Sequence, residues 1–140
     1  MRMLVLGAGQ QGSACAYDLL ARTDHEVLLA DIRTEEVADF LRPYLGSRLE
    51  LIKVDAEDRE GIRRAMEGVA ATMSAFPYYY NEALARAALE AGSHFSDLGG
   101  NTEIVSRQKE LHQRAVDAGL SIIPDCGLAP GMVNILAAWG

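Results

Sequence analysis

Gly7-Ala8-Gly9-Gln10-Gln11-Gly12 follows the apolar run Met3–Leu6 and opens a segment with helical spacing. A second apolar run, Val27–Ala30, ends at Asp31, 19 residues after Gly12. Short apolar runs bounded by glycine read as buried parallel strands. Gly7 lets the chain turn out of the first strand. Gly9 lets backbone approach a pyrophosphate, and Gly12 lets the following helix pack closely on the sheet. The helix N-terminus offers free N–H groups and a positive dipole end to phosphates. A carboxylate at the position of Asp31 accepts hydrogen bonds from an adenosine ribose. This layout of strand, glycine turn, helix, strand and acid binds a dinucleotide.

Helix and strand signals alternate along the rest of the chain, which predicts an α/β fold of the Rossmann type. The expected architecture is a doubly wound parallel sheet of about six strands with helices on both faces. Cys15/Leu19 and Ala16/Leu20 are i,i+4 pairs on the inner face of the first helix, so Cys15 reads as a small core residue. Thr34 is predicted to cap a short helix that Pro43 ends, with Glu35 and Glu36 in its first turn. Further strands are expected over 49–54, 69–75, 94–98 and 121–124. Asp58 is expected to cap a helix to Met66, and an alanine-rich helix spans 81–91, closed by Gly92. One long helix is expected from Asn101 or Thr102 to Gly119, its apolar stripe interrupted by Gln108.

The chain has 140 residues, enough for one domain with a sizeable core. It carries 20 acidic against 13 basic side chains, a net charge of −7, and no Lys/Arg cluster, which argues against nucleic acid as a partner. No apolar run approaches the roughly 18 residues of a membrane span. The first strand starts at once, leaving no room for a signal peptide, so a cytoplasmic protein is expected. The two cysteines, Cys15 and Cys126, suggest neither a disulfide framework nor a metal site. No metal is expected. Residues 1–131 read as the dinucleotide-binding domain. Residues 132–140 read as the start of a helix whose Leu136 and Trp139 need a partner, either a following C-terminal substrate domain or a second copy in a homo-oligomer.

In an open α/β sheet, ligands bind at the carboxyl ends of the strands near the switch in strand order. Three segments fall there: residues 75–81 with Pro77-Tyr78-x-x-Asn81, residues 97–101 (Asp-Leu-Gly-Gly-Asn), and residues 125–131 with Gly127-Leu-Ala-Pro-Gly131 followed by Met132. Together with the glycine turn they resemble the cofactor domain of the saccharopine dehydrogenase/lysine 6-dehydrogenase family over the whole chain. The Asp-Leu-Gly-Gly and Gly-Leu-Ala-Pro-Gly forms lean towards the lysine 6-dehydrogenase branch.

The resemblance implies the following roles. Gly7, Gly9, Gln10, Gln11 and Gly12 hold the pyrophosphate. Asp31 and Ile32 flank the adenosine ribose, and Asp55 and Ala56 border the adenine. Ala75, Phe76 and Pro77 lie along the nicotinamide ribose, beside Leu98, Gly99 and Gly100. Tyr78 and Asp97 are the catalytic candidates at the substrate side. Pro130, Gly131 and Asn134 form the floor of the cleft. The cofactor is NAD, because Asp31 repels a 2′-phosphate; Arg33, able to accept one, keeps NADP open. The implied reaction oxidises the amine carbon of a small amino-acid substrate by hydride transfer to nicotinamide. No histidine or lysine offers itself as general acid or base; His94 is the one histidine retained as a candidate. Cys126, with no adjacent histidine or lysine, reads as passive. A different class shares the glycine turn, the strand-end acid and a segment like Val54-Asp-Ala-Glu-Asp58: regulatory nucleotide-sensing domains of potassium channels and transporters. Those domains bind NAD or ATP without chemistry, and they lack the two later glycine motifs.

Overall fold

In the computed structural model, which describes residues 1–140, six parallel strands form one sheet in the order β3-β2-β1-β4-β5-β6. The strands are β1 (Arg2–Leu6), β2 (Glu26–Asp31), β3 (Leu49–Lys53), β4 (Ala71–Ser74), β5 (His94–Asp97) and β6 (Ile122–Ile123). The helices are α1 (Gln10–Arg22), α2 (Arg59–Met66), α3 (Asn81–Ala91), α4 (Thr102–Lys109), α5 (His112–Asp117) and α6 (Met132–Trp139). Strand order reverses between β1 and β4, where Met3 pairs with Ala71 and Leu6 with Ser74. This is the doubly wound order expected from the alternating pattern.

The two faces can be read along β1 and β2, because successive side chains of a strand point to opposite sides. Leu4, Leu6, Leu28 and Ala30 join Ile62, Met66, Leu84, Ala88, Phe95 and Leu111 in a 13-residue core. Val5, Val27 and Leu29 join Ala16, Leu20, Leu41 and Leu49 in a 7-residue core on the other face. Helices α2 to α5 therefore cover one face, and α1 with a 3-10 turn covers the other. Cys15 is half-buried and packs against the smaller core, as its place on α1 predicts.

Two expectations about helices are corrected. Residues 34–38 are not helical; the chain instead makes a 3-10 turn over Asp39–Tyr44 with Pro43 inside it. A helix of eight or nine residues is marginal without tertiary support. Here the support favours the turn: Leu41 is its one buried anchor, and Phe40 and Tyr44 pack edge-on against Tyr17 at 5.4 and 6.4 Å between ring centroids. The second correction is that residues 102–118 form two helices. Leu111 N–H bonds back to Gln108 O, an i→i−3 contact that closes α4 before α5 begins. Gln108 and Leu111, on either side of the seam's i→i−3 bond, are both buried.

Capping follows the residue chemistry. Asp58 Oδ1 accepts from Gly61 N–H at 2.9 Å, and Asn101 Oδ1 accepts from Glu103 and Ile104 N–H. No helix is long and apolar enough to cross a membrane.

Phe95 is the largest fully buried side chain and lies on β5, between β4 and the edge strand β6. Phe95→Ala is expected to cost about 3–5 kcal/mol of unfolding free energy, read as a lower urea midpoint at unchanged slope.

Candidate functional site

The glycine turn leaves β1 at the point where strand order reverses. Gly7 has φ +99°, a region that disfavours side chains, and its N–H bonds Ala30 O at 2.7 Å. Gly12 comes so close to Gly7 that a methyl group there would overlap Gly7 O. This contact seats the first turn of α1 against the end of β1. Gly9 is the N-cap residue, and the space where its side chain would stand is open. Ser13 N–H makes the first i→i−4 bond of α1, to Gly9 O. The N–H groups of Gln10, Gln11 and Gly12 precede it and have no partner within the helix. Gly9 brings no side-chain cap and α1 has no acidic residue in its first turn. The arrangement suits an anion lying over Gly9, as a pyrophosphate does.

Asp31 closes the seat from β2. Its Oδ2 accepts from Ala8 N–H at 2.8 Å and its Oδ1 from Arg33 N–H at 3.0 Å. Each oxygen keeps acceptor capacity towards a cavity of about 430 Å³ lined by Ala8, Gly9, Asp31, Arg33, Glu35 and Glu36. Ile32, 51% exposed, stands next to it. Val54 N–H bonds Asp31 O, which sets the loop of Asp55 and Ala56 beside the same edge. Asp55 Oδ1 accepts from Glu57 N–H. Tyr80 stands near this loop. Its hydroxyl is held above the usual phenol range, first by burial, then by Tyr79, Glu57 and Asp55. It also packs against Phe76 at 6.3 Å. Tyr80 is thus the structural member of the Tyr78–Tyr80 run.

Across the switch point, a side chain on Gly7 would touch Ala75 O, so the turns after β1 and β4 are adjacent. Tyr78 is 42% exposed and lies against Gly100; a Cβ there would stand 3.2 Å from Tyr78 Cβ. The Pro77-Tyr78 and Leu98-Gly99-Gly100 segments are therefore brought together. Asp97 is placed differently from an exposed catalytic acid. It is fully buried; Oδ1 accepts from Gly99 N–H at 2.7 Å and Asp125 N–H at 3.3 Å, and Oδ2 from Gln108 Nε2 at 2.6 Å. Cys126 N–H bonds Asp97 O, and Met132 N–H bonds Gly127 O, so the 125–131 loop folds onto the same edge. Pro130 and Asn134 are exposed there and Gly131 half-buried.

His94 is corrected as a candidate. It opens β5 at the opposite end of the sheet, where Nδ1 accepts from Ser121 N–H. Gln108 and Asn81, given no site role from sequence, are buried polar groups beneath the cleft. The signal for Gln108 was its place in the apolar stripe of residues 104–118, and that for Asn81 its place in the Pro77-Tyr78-x-x-Asn81 motif.

Comparison with known proteins places this geometry in a family. Residues 3–123 match the family model described as saccharopine dehydrogenase NADP binding domain. Saccharopine dehydrogenase [NADP(+), L-glutamate-forming] of Schizosaccharomyces pombe is 23% identical over 135 residues, 96% of this chain and 29% of that protein. Alpha-aminoadipic semialdehyde synthase of Arabidopsis thaliana is 23% identical over 116 residues, 83% of this chain and 10% of that protein. Among solved structures, apo saccharopine dehydrogenase (L-Glu forming) from Saccharomyces cerevisiae superposes with a TM-score of 0.79 at 22% identity, over 99% of this chain and 30% of that one. The Citrobacter triphenylmethane reductase complexed with NADP(H) superposes at 0.64 with 16% identity, over 89% of this chain and 48% of that one. The chain spans less than a third of the length of the saccharopine dehydrogenases it matches.

Both thiols are held above the ordinary cysteine value. Burial acts first in each case, followed by Asp18 at Cys15 and by Asp97 and Asp125 at Cys126. The thiolate is the reactive form, so raising the value lowers its population at neutral pH. Iodoacetamide is expected to alkylate exposed Cys126 more slowly than free cysteine at pH 7, with the rate still rising above pH 9, as followed by mass spectrometry.

Proposed function

Given that this chain belongs to the saccharopine dehydrogenase NADP-binding-domain family, we propose that it is the cofactor-binding unit of a dehydrogenase acting on an amine carbon of a lysine-like amino acid or its condensation product. We further propose that it takes NAD(H) in preference to NADP(H). The observation that carries the reading is the seat of Gly9, the uncapped start of α1 and the Asp31 carboxylate, set at the reversal of strand order.

When bound, the nicotinamide supplies the hydride acceptor, while the protein contributes binding and orientation. Ala8 and Asp31 hold each other, so the glycine turn keeps its shape before any ligand arrives. The N–H groups of Gln10, Gln11 and Gly12 are proposed to bond the pyrophosphate, with the α1 dipole favouring its charge. Asp31 is proposed to accept from the adenosine ribose hydroxyls, with Ile32, Asp55 and Ala56 bordering the adenine. Ala75, Phe76, Pro77, Leu98 and Gly99 are proposed to line the nicotinamide half, with Tyr78 facing the substrate.

The preference for NAD rests on local charge. Three carboxylates, Asp31, Glu35 and Glu36, surround the cavity against the single guanidinium of Arg33. A 2′-phosphate brought there adds negative charge to a net negative rim. The NADP in the family's description is thereby set against this chain's own side chains.

Residues 1–131 are proposed as the cofactor unit. Helix α6, exposed along its whole length, is proposed to lead towards the part that completes the substrate pocket. On this reading the 140 residues bind cofactor without turning substrate over.

A fluorescence titration with NADH, NADPH and competing ATP tests the proposal. NADH is expected to bind about tenfold more tightly than NADPH, a difference of roughly 1.4 kcal/mol, with little displacement by ATP. Tighter NADPH binding would hand the ribose site to Arg33 and keep the enzyme class. Strong displacement by ATP would favour a nucleotide-sensing domain. Gly9→Ala is expected to leave the melting temperature unchanged, since the added methyl meets open space, and to weaken NADH binding by about tenfold or more through collision with the pyrophosphate.

A further inference from the structure

A row of buried polar side chains runs beneath the cleft under the ends of β4 and β5. Ser74, Asn81, Gln108 and Asp97 are each no more than 2% exposed. Phe76 N–H donates to Ser74 Oγ at 3.4 Å, and Ser74 Oγ donates to Asn81 Oδ1 at 3.2 Å. Gln108 Nε2 donates to Asp97 Oδ2 at 2.6 Å and reaches Asn81 O at 3.5 Å. Asp97 Oδ1 then takes the N–H groups of Gly99 and Asp125. The row begins at the turn carrying Phe76, Pro77 and Tyr78. It ends at the loop carrying Leu98, Gly99 and Gly100.

No ion pair reaches the Asp97 carboxylate, so its buried charge is met by neutral donors. Gln108 supplies the one side-chain donor among them. Its other end is unmatched: Gln108 Oε1 is buried and has no hydrogen-bond partner. The amide is thus held for what its N–H group donates. A leucine would fill the space and leave no unmatched acceptor, as the apolar stripe of α4 and α5 would prefer.

We infer that Gln108 is a positioning residue of the nicotinamide half of the cleft: by donating to Asp97 across to Asn81 it sets the 97–100 loop against Tyr78. This rests on the cofactor reading above. It goes beyond it by assigning the geometry of one half of the site to a side chain that touches no ligand. The adenosine half is built independently, from Gly9, Asp31 and the α1 N-terminus, and shares none of these hydrogen bonds.

That independence supplies the test. NADH and ADP share the adenosine and pyrophosphate groups, and only NADH carries the second ribose and the nicotinamide. In the 140-residue chain, Gln108→Leu and Gln108→Glu are each expected to weaken NADH by about tenfold, the scale of one lost hydrogen bond to a charged group, while ADP stays within about twofold. Gln108→Glu places two carboxylates face to face. Adding Asp97→Asn restores one amide opposite one carboxylate with the donor on the other side, and is expected to recover NADH binding to within about threefold of the starting protein. The two changes are isosteric, so a space-filling role predicts no such recovery. Equal weakening of NADH and ADP, no weakening of either, or no recovery in the double variant would overturn the positioning role. If Gln108→Glu does not fold, Gln108→Leu and the double variant still decide it. A starting protein that takes up neither ligand removes the cofactor reading itself, and this inference with it.

Discussion

The contact between Gly12 and the carbonyl of Gly7 is the constraint on which the rest of the molecule depends. It lets α1 begin directly over the end of β1, with no side chain between them. From that seat, Ala16 and Leu20 reach Val5, Val27 and Leu29 and close one face of the sheet. The same contact leaves the first N–H groups of α1 facing the reversal point of the strand order. Core packing and the capacity to hold an anion therefore come from one backbone approach, which only hydrogen at position 12 permits.

Around it, the cleft divides into two halves with different chemistry. The half proposed to hold the adenosine is made of backbone N–H groups and carboxylates, tied together by Asp31 and Ala8. Its rim carries Glu35 and Glu36, both exposed in the non-helical stretch of residues 34–38. The other half is made of three loops joined from below by buried polar side chains. Buried hydrogen bonds of this kind are directional and costly to leave unmatched, so they specify loop geometry more sharply than apolar contact does.

The places where sequence and structure part company share one cause. Thr34 followed by two glutamates is a sound helix start, and Pro43 a sound stop, yet Phe40 and Tyr44 find Tyr17 and the chain takes a 3-10 turn instead. Residues 102–118 carry one helical stripe, yet the chain forms two helices, broken at Glu110 and Leu111. Asp97 reads from sequence as a catalytic candidate at the substrate side, and only the fold shows its carboxylate enclosed by Gly99, Gln108 and Asp125. His94 looked available, and the direction of β5 puts it at the far edge. Each of these depends on a partner distant in sequence.

The glycine spacing, the apolar runs and the acid at Asp31 by themselves determined the parallel sheet, the dinucleotide-type turn and the edge that carries the proposed cofactor site. These are local: a turn that needs glycine and a strand that needs apolar residues are decided within a few positions. Tertiary structure alone decided that Gly100 meets Tyr78, that Gln108 answers Asp97, and that Glu35 and Glu36 share a rim with Ala8 and Gly9. Those pairings join segments whose separation along the chain carries no local signal. They are set by how helices settle on the sheet and by the need of each buried polar group for a partner.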